Sequence, residues 1–305
     1  MGKEIIISCS LSLGLSLLGI LAGIKISISW TFIFVIMVSL IFNQLDTKLT
    51  CLAYVMAFIY VLDEILVLSK LKAGYFNLPY IEMIYLVGVL HAIEGILTFA
   101  YGGKQNLAVM TYRGKKVAGG YHSYGRWFIP LLLFSIQGIY IPIIAVIVYA
   151  NDSFVLTPKD KAKRMGIWIL AYGLVIMLLG YVTQKGILPL ILSMITMPIL
   201  HEMIFSIDNY IEQGRLLYPY PKQGIRVMEF REHYNKDQRI KERIEKGDII
   251  LKVNQTRVNS EEAYFDALEQ GIVKLVLQKV GGSILEVEYS YETLKKMQLV
   301  FLPPI

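Results

Sequence analysis

Cysteine is nearly missing from this sequence: there are two in 305 residues, Cys9 and Cys51, each inside an apolar run. A disulfide framework and a cysteine-rich metal centre are thereby excluded. Charge is scarce as well. Only 18% of residues are Asp, Glu, Lys or Arg, and the mean hydropathy is +0.53. This excludes an ordinary soluble domain and fits a chain that crosses a bilayer several times. The scarcity is uneven, because residues 1–214 hold 15 basic and 11 acidic side chains while the much shorter 215–305 holds 15 and 13. The chain therefore divides into an apolar part and a water-soluble part. Most of the excess positive charge lies in loops of the first part, where it meets anionic headgroups or sets topology, and nucleic acid is not implied.

A hydrocarbon core about 30 Å thick needs about 20 apolar residues per helix. Seven windows qualify, roughly 5–24, 27–45, 49–69, 79–100, 127–149, 166–184 and 187–207. The first follows a single Lys3 and has no small-residue cleavage site, so it reads as a retained anchor. Between the fourth and fifth windows, residues 104–126 read as a β-hairpin-like loop with Tyr112, Tyr121, Tyr124 and Trp127 available for the interface. The expected fold is an α-helical polytopic membrane bundle of about seven spans, residues 1–214, followed by a small α+β domain, residues 215–305. Alternation over seven spans places Lys25, Lys159, Lys161, Lys163 and Arg164 on the same side as the terminal domain. That bias puts the domain in the cytoplasm of a multi-pass cell-membrane protein.

From about Leu217 the pattern becomes short strands and one amphipathic helix. GIRVMEF is a strand opened by Gly224, and KGDIILKVN is a turn and strand closed by a second turn at Asn254 and Gln255. NSEEAYFDALEQG then supplies Ser260 as N-cap, Glu261 and Glu262 in the first turn, and Gly271 as the stop. KLVLQKV, ILEVEYSY and MQLVFL alternate as further strands. This order resembles a PDZ domain of the bacterial type, which implies a protein partner captured as an extended or C-terminal peptide that adds to a strand edge. Carried onto this chain, the resemblance puts the carboxylate-facing loop at Lys222, Gln223, Gly224 and Ile225. The pairing strand would be Arg226, Val227 and Met228, and the helix side of the groove Glu261, Phe265 and Leu268, with Arg226 favouring an acidic ligand. The segment before Gly247, REHYNKDQRIKERIEKGD, departs from the family, being highly charged with only Ile240 and Ile244 apolar, where members usually carry a Gly-rich or Ala-Gly-Leu segment.

Ionisable groups inside spans are costly and each is a site hypothesis. They are Asp63 and Glu64, His91 and Glu94, and His201 and Glu202, with Asp63 and His201 expected at one depth. The stretch LHEMIFSID begins like a zinc hydrolase motif, but Phe205 stands where the second histidine is needed. Three readings follow, the last a proton or ion path through these groups. The six residues form an interhelical hydrogen-bond network with no metal and no cofactor. Alternatively, His91, His201 and a carboxylate hold a metal with Glu202 as base, which resembles the intramembrane site-2-type zinc proteases. The first is preferred.

LHAIEGILTFAYGG, GGYHSYGRWFIP, PILHEMIF and the terminal KGDIILKVN together resemble the MinJ-type division-site proteins of Gram-positive bacteria. That resemblance implies an adaptor and not an enzyme: a membrane part that anchors, and a terminal domain that binds division or polarity factors.

Overall fold

The computed structural model describes residues 2–21, 23–69, 76–113, 116–230 and 244–302. The charged segment 231–243, including His233, and the tip of the 104–126 loop at 114 and 115 lie outside the described residues. The chain forms two compact units, one of residues 1–105, 124–150 and 159–211, the other of 106–123, 151–158 and 212–305. The second unit therefore draws in two upstream segments that the sequence reading left with the membrane part.

Among the described residues there are eight α-helices. Six belong to the first unit: α1 Gly2–Leu21, α2 Trp30–Leu45, α3 Leu52–Leu68, α4 Tyr80–Tyr101, α5 Pro158–Gln184 and α6 Leu190–Ile211. Only α1, α4, α5 and α6 are long and apolar enough to cross a membrane. At 16 and 17 residues, α2 and α3 reach roughly 24–26 Å, short of the hydrocarbon thickness.

The expectation of about seven spans needs a further correction at 127–149, which is strand and not helix. β3 runs Lys116–Ile136 and β4 runs Ile139–Ser153. Gln137 (φ 49°) and Gly138 (φ 89°) join them, a two-residue turn of the left-handed kind that fits a hairpin. Hydropathy could not reveal this, because a long apolar run is compatible with either a buried helix or buried strands. The β-branched and aromatic content and the two prolines, Pro130 and Pro142, tip it towards strand. With that span gone, the alternation that placed the terminal domain in the cytoplasm no longer follows. Lys161 and Arg164, counted there as topology signals, instead reach Asp208 of α6 at 3.0 and 2.8 Å, with Lys161 fully buried.

In the first unit α4 and α5 approach each other closely. Glycines recur every seven residues on both helices, at Gly88, Gly95 and Gly102 and at Gly166, Gly173 and Gly180. A Cβ on Gly95 would lie 2.4 Å from Leu170 N and 2.7 Å from Gly166 O, and one on Gly173 would lie 2.6 Å from Ala92 N. The two backbones are thus in direct contact along an antiparallel seam, the mode of packing available in lipid, where burial against hydrocarbon gains nothing.

In the second unit, β2 Asn106–Arg113 pairs antiparallel with the start of β3, from Asn106 opposite Ser123 to Arg113 opposite Lys116. β5 Tyr218–Pro219 pairs with β3 at Ala118 and Gly119. The remaining strands are β6 Ile225–Phe230, β7 Ile249–Val253, β8 Thr256–Arg257, β9 Ile272–Gln278, β10 Ile284–Ser290 and β11 Leu299–Leu302. They form one sheet in the order β10-β9-β7-β6-β11, with β8 on β7. α7 Glu261–Asp266 is capped as its sequence suggests, Ser260 Oγ accepting from Ala263 N. A second helix, α8 Tyr291–Met297, forms where a strand-separating turn was expected. Val227, Ile250, Leu275 and Tyr264 are among the core residues of this unit. A smaller cluster joins Val117, Tyr121 and Tyr218 to Met228 and Leu302.

Gly95→Ala is expected to lower the melting temperature of the detergent-solubilised protein by several degrees, an overpacking cost of about 1–3 kcal/mol. Gly14→Ala, where nothing lies within 4 Å, is expected to leave it unchanged; differential scanning fluorimetry compares the two.

Candidate functional site

Three elements of the first unit converge on one polar cluster. Cys51 is the N-cap residue of α3, a position where a polar side chain usually accepts from the helix. Its thiol makes no such bond and lies 3.3 Å from His91 Nε2. His91 is buried on α4, between seam residues Gly88 and Gly95, and its Nδ1 is 2.8 Å from the Val87 carbonyl. His201 comes from α6, three residues after the helix-interior Pro198, and its ring centroid is 5.4 Å from that of His91. Ligand atoms of Cys51, His91 and His201 all fall within 4.8 Å of one another.

The partners of the two imidazoles decide which nitrogen is available. A carbonyl can only accept, so His91 Nδ1 carries the proton and Nε2 is left with its lone pair. Tyr54 donates to Glu202 Oε1 at 2.8 Å, and its oxygen is 2.9 Å from His201 Nδ1. With the single Tyr54 proton committed to the carboxylate, His201 Nδ1 must be the donor and its Nε2 is likewise unprotonated. Lys48 completes the chain with a 2.9 Å ion pair to Glu202. Tyr172 of α5 and Phe205 wall the site, their rings 5.5 and 5.1 Å from that of His201. A cavity of about 30 Å³ between His91, Glu94, Tyr172, His201 and Phe205 has room for about one water or one ion. The Glu94 carboxylate is 4.0 Å from His91 Nε2.

The sequence singled out six intramembrane residues, and the structure groups four of them, His91, Glu94, His201 and Glu202. Asp63 accepts instead from Tyr80 at 3.0 Å, and the half-buried Glu64 follows it on α3. The layer that meets His201 is Tyr54, nine residues earlier on α3 and so roughly 13 Å away from Asp63 along the helix. The equal depth expected for Asp63 and His201 rested on seven alternating spans, which the fold does not have. Cys51 went unnoticed as a partner, since nothing local links it to histidines 40 and 150 residues later.

In the second unit the expected peptide groove is occupied by the chain itself. β6 pairs with β7 at Ile225 and Arg226, and Val227 N donates to Asp248 O at 2.8 Å. On its other edge β6 pairs with β11, from Leu302 opposite Arg226 to Leu299 opposite Phe230. Arg226, Val227 and Met228 therefore offer no edge to a ligand. The Gly224 amide, expected to face a carboxylate, donates to Asn259 Oδ1 at 2.9 Å, and Ile225 beside it is buried. Lys222 and Gln223 are exposed. Arg226 is buried, giving hydrogen bonds to the carbonyls of Pro219 and Gly247 at 3.0 and 2.6 Å. Burial pushes its guanidinium below the usual pKa, with Tyr218 and Asp248 acting in the opposite direction. It is a structural clamp. Glu261 and Phe265 of α7 are exposed and Leu268 is half-buried.

No family model, curated protein or solved structure matches the chain.

Arg226→Ala is expected to destabilise the second unit by about 1–3 kcal/mol through two orphaned carbonyls, read as earlier urea unfolding followed by circular dichroism. Preference for acidic ligands is expected to be unaffected.

Proposed function

We propose that the chain is a membrane-moored adaptor whose second unit takes an extended segment of a partner protein onto the open edge of β11. One observation carries this reading. Among the described residues, β11 has a strand neighbour on one edge only, β6, and it packs beside α7, where the Tyr264 ring is 4.8 Å from that of Phe301. An edge strand next to a helix is what peptide capture by strand addition requires: backbone groups of the edge supply affinity, and side chains on the helix supply selectivity. Phe265, 55% exposed on α7, is the apolar anchor for such a ligand, with the half-buried Leu268 following just after the helix. The final strand thus closes the cleft first expected at β6 and itself becomes the receiving edge.

The helices of the first unit provide the mooring, with four long enough to cross a membrane. Confinement to a membrane raises effective concentration, so a weak contact at a four-residue edge suffices for recruitment. Division or polarity factors are the partner class implied by the likeness to MinJ-type proteins.

Tests of this reading use the full-length chain in lipid nanodiscs, because Val117 and Tyr121 from the upstream strands complete the packing around Met228 and Leu302. Screening a peptide library by fluorescence polarisation is expected to yield binders that Phe265→Glu weakens roughly 30-fold, the size of an interface hot spot. A library without binders, or binders indifferent to Phe265→Glu, would remove the proposal.

A further inference from the structure

We propose that Cys51, His91 and His201 bind one divalent zinc-class metal ion within the first unit, a role separate from partner capture by the second. A thiolate and two imidazoles are the ligand types preferred by zinc and its neighbours in the transition series. Around a tetrahedral zinc such atoms stand about 3.3–3.8 Å apart. Cys51 Sγ and His91 Nε2 are already at 3.3 Å, and the third ligand atom lies within 4.8 Å of both.

The groups that hold the two imidazoles are as informative as the ligands. Metal-binding histidines as a rule donate their other ring N–H to a carbonyl or carboxylate, which fixes the tautomer and aims the lone pair. His91 does so directly, and His201 reaches a carboxylate only through the Tyr54 hydroxyl. His91 donates to the Val87 carbonyl, and His201 to Tyr54, whose own proton goes to Glu202. The neighbouring cavity of about 30 Å³ is of the size that holds one small guest. Glu94 faces it from α4, one helical turn beyond His91, and takes the fourth coordination position or holds a metal-bound water there.

The three ligands come from the start of α3, the middle of α4 and the second half of α6, so an ion joins three segments far apart in sequence. Binding requires the Cys51 thiol to lose its proton to solvent, so uptake weakens in acid. Lys48 and Glu202, 37% and 42% exposed, connect Tyr54 to the surface and act as positioning residues: they hold the tyrosine that orients His201 without touching the ion.

The test uses full-length protein in detergent, stripped with chelator and equilibrated with Zn²⁺ or Co²⁺. Elemental analysis of the wild type is expected to give one zinc per chain, falling to less than a tenth in His91→Ala and His201→Ala. The Co²⁺ form is expected to show a thiolate-to-metal charge-transfer band that Cys51→Ser abolishes. Tyr54→Phe, which keeps all three ligands, is expected to weaken binding roughly 10–100-fold. Phe205→Leu, which alters the wall and no ligand, is expected to retain the ion and so controls for folding. A wild-type protein that holds no stoichiometric metal or shows no thiolate band overturns the assignment, even if the ligand variants fail to fold. Metal content unchanged in the ligand variants overturns it equally, and leaves the trio as a thiol–imidazole packing contact.

Discussion

The first unit rests on one constraint, the backbone contact between α4 and α5 made possible by glycines at every seventh residue. In water, helices are driven together by burying apolar side chains; in hydrocarbon that drive is absent, and close van der Waals approach must replace it. Atoms that a Cβ would approach to 2.4–2.7 Å occur on both sides of the seam. No larger residue fits without separating the helices. His91 sits on α4 between two of these glycines and Tyr172 sits one residue before a third on α5, with their rings 4.8 Å apart. The seam that holds the helices thus also fixes one side of the polar cluster. α6 brings His201 to the same place, and Tyr172 secures it by donating to Met197 O at 3.0 Å, next to the helix-interior Pro198.

The second unit is built on different physics. Its sheet follows the alternation of buried and exposed residues, as in β9 with Val273, Leu275 and Leu277 inward. The buried cation Arg226, beside the sheet, satisfies two carbonyls. The G-D turn of the KGD stretch has an equally local cause: Asp248 accepts from Glu245 N at 2.8 Å and from Lys279 Nζ at 2.7 Å. Burial opposes the charge of Lys279, but Asp248 and Glu245 outweigh it and raise its pKa. This ion pair ties the start of β7 to the end of β9, and the raised lysine pKa keeps Lys279 charged to higher pH than an ordinary lysine.

What was legible in the sequence is what depends on near neighbours. Ser260 caps α7, Asn254 and Gln255 adopt positive φ in the turn that leads to β8, and the four long apolar runs are helices. What was not legible depends on partners far along the chain. Residues 127–149 carry no polar periodicity that separates a span from a hairpin, so hydropathy alone chose wrongly. The pairing of β6 with β11 joins residues about seventy apart, and only that register shows the expected groove to be closed. Cys51 is one apolar-looking residue until α4 and α6 are placed beside it. The glycine period, by contrast, is visible in the sequence: Gly88, Gly95 and Gly102, and then Gly166, Gly173 and Gly180, are a signal that attention to charge and hydropathy passes over.

The seam is tested most directly by magic-angle-spinning NMR of the wild-type protein in bilayers, labelled with 2-¹³C-glycine. Short-range Cα–Cα correlations are expected between glycines of α4 and α5, Gly95 with Gly166 and Gly88 with Gly173, since no side chain intervenes. A spectrum in which these glycines correlate with nothing across the helix pair would contradict backbone contact, and with it the placement of His91 beside Tyr172 and His201.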